Sequence, residues 1–142
     1  MSKLDPHQTI IIPPADIPWQ VPDQSPPNSV AEATLAGGED KDGAYLVLMK
    51  WWPGWMSAPH TYVTDRICVV LSGVWSCNSG PDFDPAQAVP VQPGGFVRRV
   101  AGTPHYDGAQ KDAAEPTVIA VSGTGPVGQE WMEPSQPILR RL

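Results

Sequence analysis

Eighteen prolines are spread along the 142-residue chain, and each one inside a helix would cost about 3 kcal/mol. Proline lacks the amide donor, and its ring collides with the preceding turn. An all-helical protein is therefore excluded. With thirteen glycines, the two breakers make up about a fifth of the chain, below the roughly 25–30% of low-complexity sequence. Six tryptophans, from Trp19 to Trp131, supply large apolar areas that a disordered chain lacks. The combination points to an all-β domain with extended, proline-rich arms.

Charge narrows the partners. Nine Lys and Arg stand against fifteen Asp and Glu, a net charge of -6. Without a basic block, nucleic-acid binding is excluded, because a phosphate backbone is held by clustered Lys and Arg. The longest nearly uncharged stretch, residues 67–81, is interrupted by Ser72-Gly73, Asn78 and Gly80, so nothing in it spans a membrane. The opening MSKLDPHQTI has no apolar run behind its lysine, unlike a secretory leader. The expectation is a soluble, cytoplasmic, single-domain protein whose partner is a small molecule.

Residues 1–29 carry Pro6, Pro13, Pro14, Pro18, Pro22, Pro26 and Pro27 around a short apolar run at 9–12 that reads as a strand. Such an arm lies extended on a surface, its own or a partner's. A second short element covers 31–36, and residues 39–43 form a charged turn. From residue 44 onward, β-prone runs at 44–51, 60–63, 66–71, 74–77, 89–91, 96–100, 104–107 and 117–122 are separated by Gly, Pro and Asp clusters. That is the pattern of a sandwich, jelly roll or barrel. Residues 126–142 are again Pro- and Gly-rich and are expected to dock through Trp131, Met132 and Ile138. The runs at 66–71 and 74–77 flank Ser72-Gly73, a two-residue hairpin signal. That pairing sets Cys68 opposite Cys77 at a non-hydrogen-bonded position, where side chains approach most closely. A disulfide is geometrically open there, whereas a reducing cytoplasm favours two buried thiols.

Two of the three histidines fall in glycine- and proline-framed blocks. Gly54 is followed by Trp-Met-Ser-Ala-Pro and then His60, and Gly73 closes that block. Further on, Pro93-Gly94-Gly95-Phe96 precedes Ala101-Gly102-Thr103-Pro104-His105. The arrangement resembles the two-part signature of the cupin superfamily over roughly residues 44–125. The resemblance implies a cupin-type jelly-roll β-barrel over 30–125, flanked by arms at 1–29 and 126–142. It also implies a site built from two His and a Glu of the first block and one His of the second. His60 and His105 match the first and last of these. Tyr62 stands at the second His position and Arg66 at the Glu position, with Asp65 one place earlier.

Two strand registers give two sites. With Arg66 inward, a permanently charged guanidinium replaces a carboxylate and repels a cation. His60 or His105 then acts as general base, Tyr62 as acid or oxyanion donor, and Arg66 holds a carboxylate or enolate. This set suits isomerisation, epimerisation, cyclisation or elimination next to a carbonyl, with no tightly bound metal. With Asp65 inward, His60, Asp65 and His105 form a two-His, one-carboxylate site for a divalent metal such as Fe, Mn, Zn or Ni, as in an oxygenase or lyase. A third reading is a non-catalytic small-molecule binder that kept the barrel shape. The blander alternative for Arg66 is an ion pair with Asp65, Asp82 or Asp84. His7 is expected in solvent, and the tryptophans at 51, 52 and 55 pack the core or line the mouth of the barrel. Cupins are commonly homodimers, and arm or strand exchange by residues 1–29 suits one here.

Overall fold

The structure is a computed structural model and describes residues 7–142. Residues 1–6, the start of the expected arm with its Pro6, lie outside the described residues. The strands are β1 (Val30–Ala36), β2 (Gly43–Trp51), β3 (Trp55–Ser57), β4 (His60–Thr61), β5 (Arg66–Ser72), β6 (Trp75–Ser79), β7 (Val89–Val91), β8 (Phe96–Arg99), β9 (His105–Ala109), β10 (Thr117–Gly125), β11 (Glu130–Trp131) and β12 (Leu139–Arg141). They form two antiparallel sheets. One runs β1-β2-β10-β5-β8; the other runs β11-β4-β9-β3-β12, with β6 pairing β9 and β7.

Side chains alternate across each pleat, so one face of every strand turns to the space between the sheets. On β5, Arg66, Cys68 and Val70 are buried while Ile67, Val69 and Leu71 face out. On β2, Tyr45, Val47 and Trp51 point inward and meet Ile119 and Val121 of β10 and Trp75 of β6 in one core. Each buried aromatic removes roughly 150–250 Å² from water, a gross gain of about 4–6 kcal/mol before conformational entropy is charged.

Three expectations need correction. First, β5 and β6 are not a hairpin: β5 pairs with β10 and β8, β6 with β7 and β9. Ser72-Gly73-Val74 carries the chain from one sheet to the other. Gly73 has φ +69°, and a Cβ there would lie 2.6 Å from the Pro116 carbonyl oxygen and 2.7 Å from Thr117 Cα. Glycine is needed for that close crossing, not for a tight reversal. Consequently Cys68 and Cys77 sit on different sheets, and both are free and buried. The physical reason is that both hydrogen-bonding edges of β5 are taken by β10 and β8, so neither is left to pair with β6.

Second, residues 9–12 are not a strand, and Ile10 and Ile11 are 78% and 63% exposed. The arm meets the barrel further along. Gln20 forms an isolated bridge with Glu32 of β1, and the Trp19 ring lies 4.4 Å from Lys50 Nζ on the outer face of β2. Third, the C-terminal segment docks by strand pairing, β11 on β4 and β12 on β3. Trp131 and Met132 are half-buried there, but Leu139, not the exposed Ile138, packs on the core. Among the described residues no helix is long and apolar enough to cross a membrane.

Candidate active site

The site begins with a local device used twice. Both histidines follow a proline, in Ala58-Pro59-His60 and Thr103-Pro104-His105. A proline biases the residue before it toward extended backbone. In both places the carbonyl two residues before the histidine meets the ring: His60 Nδ1 lies 2.7 Å from the Ala58 oxygen and His105 Nδ1 3.1 Å from that of Thr103. A carbonyl can only accept, so each Nδ1 carries the hydrogen and each Nε2 keeps its lone pair. β4 and β9 are antiparallel neighbours with His60 directly opposite His105, and the ring centroids are 4.4 Å apart.

Tyr62 completes the polar end, its ring 5.1 Å from His60 and 5.4 Å from His105. Its hydroxyl oxygen accepts from Gln129 Nε2 at 3.0 Å, which leaves the O–H proton free to be donated. The Arg66 guanidinium lies 4.2 Å from the Tyr62 ring, and its Nη2 donates to Glu39 Oε1 at 2.9 Å. Asp65 faces the opposite way. It is paired with Arg98 Nη2 at 2.6 Å and accepts from the Ala101 amide at 2.8 Å, with 42% of its side chain exposed.

These groups line one cavity of ≈ 190 Å³, room for about six waters. Its far end is apolar, formed by Met49, Trp51, Ile119, Val121 and Leu139; Trp131 lies 5.0 Å from His60. Asp107, two residues along β9 from His105, shares the inner face. It is held by Arg99 Nη2 at 3.0 Å and Trp75 Nε1 at 3.2 Å.

Burial sets the protonation states. It pushes His105 down to about 3, with the neighbouring His60 opposing a second positive charge, and it lowers His60 as well. Both imidazoles are neutral at pH 7. Burial raises Tyr62 above the ordinary phenol range, against the pull of Arg66, so its proton stays on. For Asp107 burial alone would favour the acid, but the permanent charge of Arg99, with Arg66 beyond it, outweighs burial and holds the carboxyl below its usual range.

The donor set suits a divalent cation poorly. Two imidazole nitrogens are available, but the third corner is filled by a buried guanidinium, and Asp65 is turned outward onto Arg98. Among the described residues no group of three His, Cys, Asp or Glu is placed to hold a metal ion. His60, Tyr62, Arg66 and His105 are thus brought together, and Asp65 is not. The partner of Arg66 is Glu39, rather than Asp65, Asp82 or Asp84, and His7 is exposed. Sequence reasoning missed Glu39, Arg99, Asp107, Gln129 and Trp131. Alternation from His105 reaches Asp107, but Glu39 and Gln129 lie outside the strands, where no periodicity marks them.

No family model matches the chain, and no curated protein matches it. Solved structures do match its fold. The polyketide cyclase RemF from Streptomyces resistomycificus superposes with TM-score 0.66 at 16% identity, over 94% of this chain and 85% of that one. The DMSP lyase DddQ from Ruegeria pomeroyi gives 0.65 at 16% identity, over 87% and 64%. A cupin-like protein from Thermotoga maritima gives 0.59 at 20% identity, over 72% and 74%. The chain spans 52% and 64% of the length of the DMSP lyase chains it matches. Its fold is the double-stranded β-helix of the cupins.

Proposed function

We propose that the chain is a small-molecule enzyme performing acid–base chemistry next to a carbonyl group, without a tightly held metal ion. The observation that carries this reading is the cross-strand pair of neutral imidazoles with free Nε2 atoms beside a tyrosine hydroxyl whose proton is free. His60 Nε2 takes a proton from the carbon next to the carbonyl and becomes an imidazolium. The electron pair moves onto the carbonyl oxygen, which receives the Tyr62 hydrogen bond as its charge grows. Returning the proton to the opposite face of the same carbon completes an epimerisation; loss of a leaving group from the next carbon, which takes the imidazolium proton as it departs, completes an elimination and restores neutral His60. His105, less basic than its neighbour, stays neutral and accepts a hydrogen bond from the substrate. A lyase and a cyclase among the fold's relatives lend support to small-molecule chemistry.

The test is exchange of carbonyl α-hydrogens for deuterium, followed by NMR across a panel of small ketones, aldehydes and amides. Exchange is expected with the native chain, to fall about 10²–10⁴-fold in His60→Gln, and to fall about 10²–10³-fold in Tyr62→Phe. No exchange with any member would leave the non-catalytic reading in its place. Near-stoichiometric Fe, Mn, Zn or Ni in protein purified without chelator, lost in His105→Ala, would replace it with the metal-dependent one.

We also infer a homodimer. The outer face of the first sheet presents Leu46, Ile67, Val69, Leu71 and Phe96 to solvent, with Ala120 between Leu48 and Val69. Four strands about 4.8 Å apart and some seven residues long give this face an area on the order of 400 Å². A stable dimer needs about 800 Å² per partner. The exposed Ile10, Ile11 and Ile12 lead into the segment that already lies on this face at Trp19, and exchanged between two copies they supply the remainder. Light scattering should give twice the chain mass, reduced to one in Val69→Lys. A native monomer at about 100 μM, far above the Kd of a stable dimer, would overturn the inference.

A further inference from the structure

The cavity contains two guanidinium groups, and each is already paired with a carboxylate of the chain. Arg66 Nη2 is bound to Glu39 at 2.9 Å, and one face of the group covers the Tyr62 ring at 4.2 Å. Arg99 gives Nη1 to the Asn78 carbonyl at 3.0 Å and Nη2 to Asp107 at 3.0 Å. The Nε of each is unpartnered but has less than 1 Å² of accessible surface, so no incoming atom reaches it. Asp23 and Glu32 stand exposed among the lining residues, which therefore carry two arginines against four carboxylates with Glu39 and Asp107. The arginine expected to grip a substrate carboxylate is already gripping one of the chain's own.

We propose that the site selects a small uncharged carbonyl compound with an apolar body of about one ring, and turns carboxylates away. This rests on the cavity being the acid–base site described above. Around the paired imidazoles, Tyr62 offers a hydroxyl donor and His60 and His105 two nitrogen acceptors. Their complement is a carbonyl oxygen flanked by N–H, O–H or acidic C–H. A carboxylate has acceptors only: it meets the two Nε2 lone pairs without a proton between them and enters against the carboxylates at the rim. A cation has no acceptor for the Tyr62 proton. The apolar end holds the body, since ≈ 190 Å³ exceeds the ~150 Å³ void that admits benzene.

Benzamide, benzoate and benzamidinium share one skeleton and differ in charge, and titration calorimetry at pH 7 with the full chain ranks them. Benzamide is expected to bind about tenfold or more tightly than either ion. Glu39→Gln, which frees Arg66, should raise benzoate affinity about tenfold relative to benzamide. If that variant does not fold, Asp23→Asn with Glu32→Gln, both at exposed positions, should raise benzoate affinity severalfold. Benzoate binding as tightly as benzamide, benzamidinium binding best, no binding by any of the three, or benzoate indifferent to the charge variants would each overturn the proposal. The α-hydrogen exchange experiment is independent of this ranking. Exchange retained with the wrong charge order refutes the selectivity alone; exchange lost refutes the acid–base reading.

Discussion

Acidification from pH 7 to pH 4 should remove about 3 kcal/mol of folding stability through His105 alone. The imidazole is 3% exposed, with His60 at 4.4 Å and Arg99 and Asp107 close by. In the unfolded chain it protonates near 6.5; in the barrel burial and the His60 neighbour bring that down to about 3. The unfolded state therefore binds the proton more readily. Stability from the neutral ring is fully present above pH 6.5 and is lost as pH falls toward 3. Each unit between those values is worth about 1.4 kcal/mol, and two and a half such units lie above pH 4. The assay is urea unfolding followed by tryptophan fluorescence at both pH values, for the native chain and His105→Gln. Carboxylate effects are common to both proteins and cancel in the comparison. The native chain should lose about 3 kcal/mol more than the variant on acidification. Equal losses would mean that His105 reaches solvent or keeps its ordinary basicity, and the neutral pair at the heart of the mechanism would go with it.

Two further outcomes are expected. The acid limb of activity should lie below pH 6.5, since burial lowers the base His60, and any alkaline limb from Tyr62 above pH 10; a limb near pH 7 would contradict buried, neutral imidazoles. Gly73→Ala should cost about 1–3 kcal/mol in chemical unfolding, because φ is +69° and the new Cβ meets the backbone of Pro116 and Thr117 within 3 Å. An unaffected midpoint would argue for a looser crossing between the sheets.

Some of this molecule could be read from its residues and some could not, for physical reasons. The inward set Arg66, Cys68 and Val70 follows from alternation, as does the placement of His60 with Tyr62. The two Pro-His steps mark the histidines because proline acts on the residue beside it, within reach of any local reading. The register choice between Asp65 and Arg66 was open because the Val63-Thr64 turn can absorb one residue. It is fixed by Arg98, a partner 33 positions away. Ser72-Gly73 misled for a related reason. A positive φ serves a hairpin turn and a crossing between layers equally well, and only the partners of β5 distinguish them. Glu39 was invisible because a charged turn carries no sign of which of its acids reaches back to a buried arginine.

Each imidazole is oriented by a carbonyl of its own tripeptide, not by a distant acid. The proton-handling pair is thus mechanically separate from the apolar wall of Met49, Ile119 and Val121 that receives the body of the ligand. Reshaping that wall leaves both tautomers in place, so the barrel can trade one guest for another of the same charge while its chemistry stays fixed.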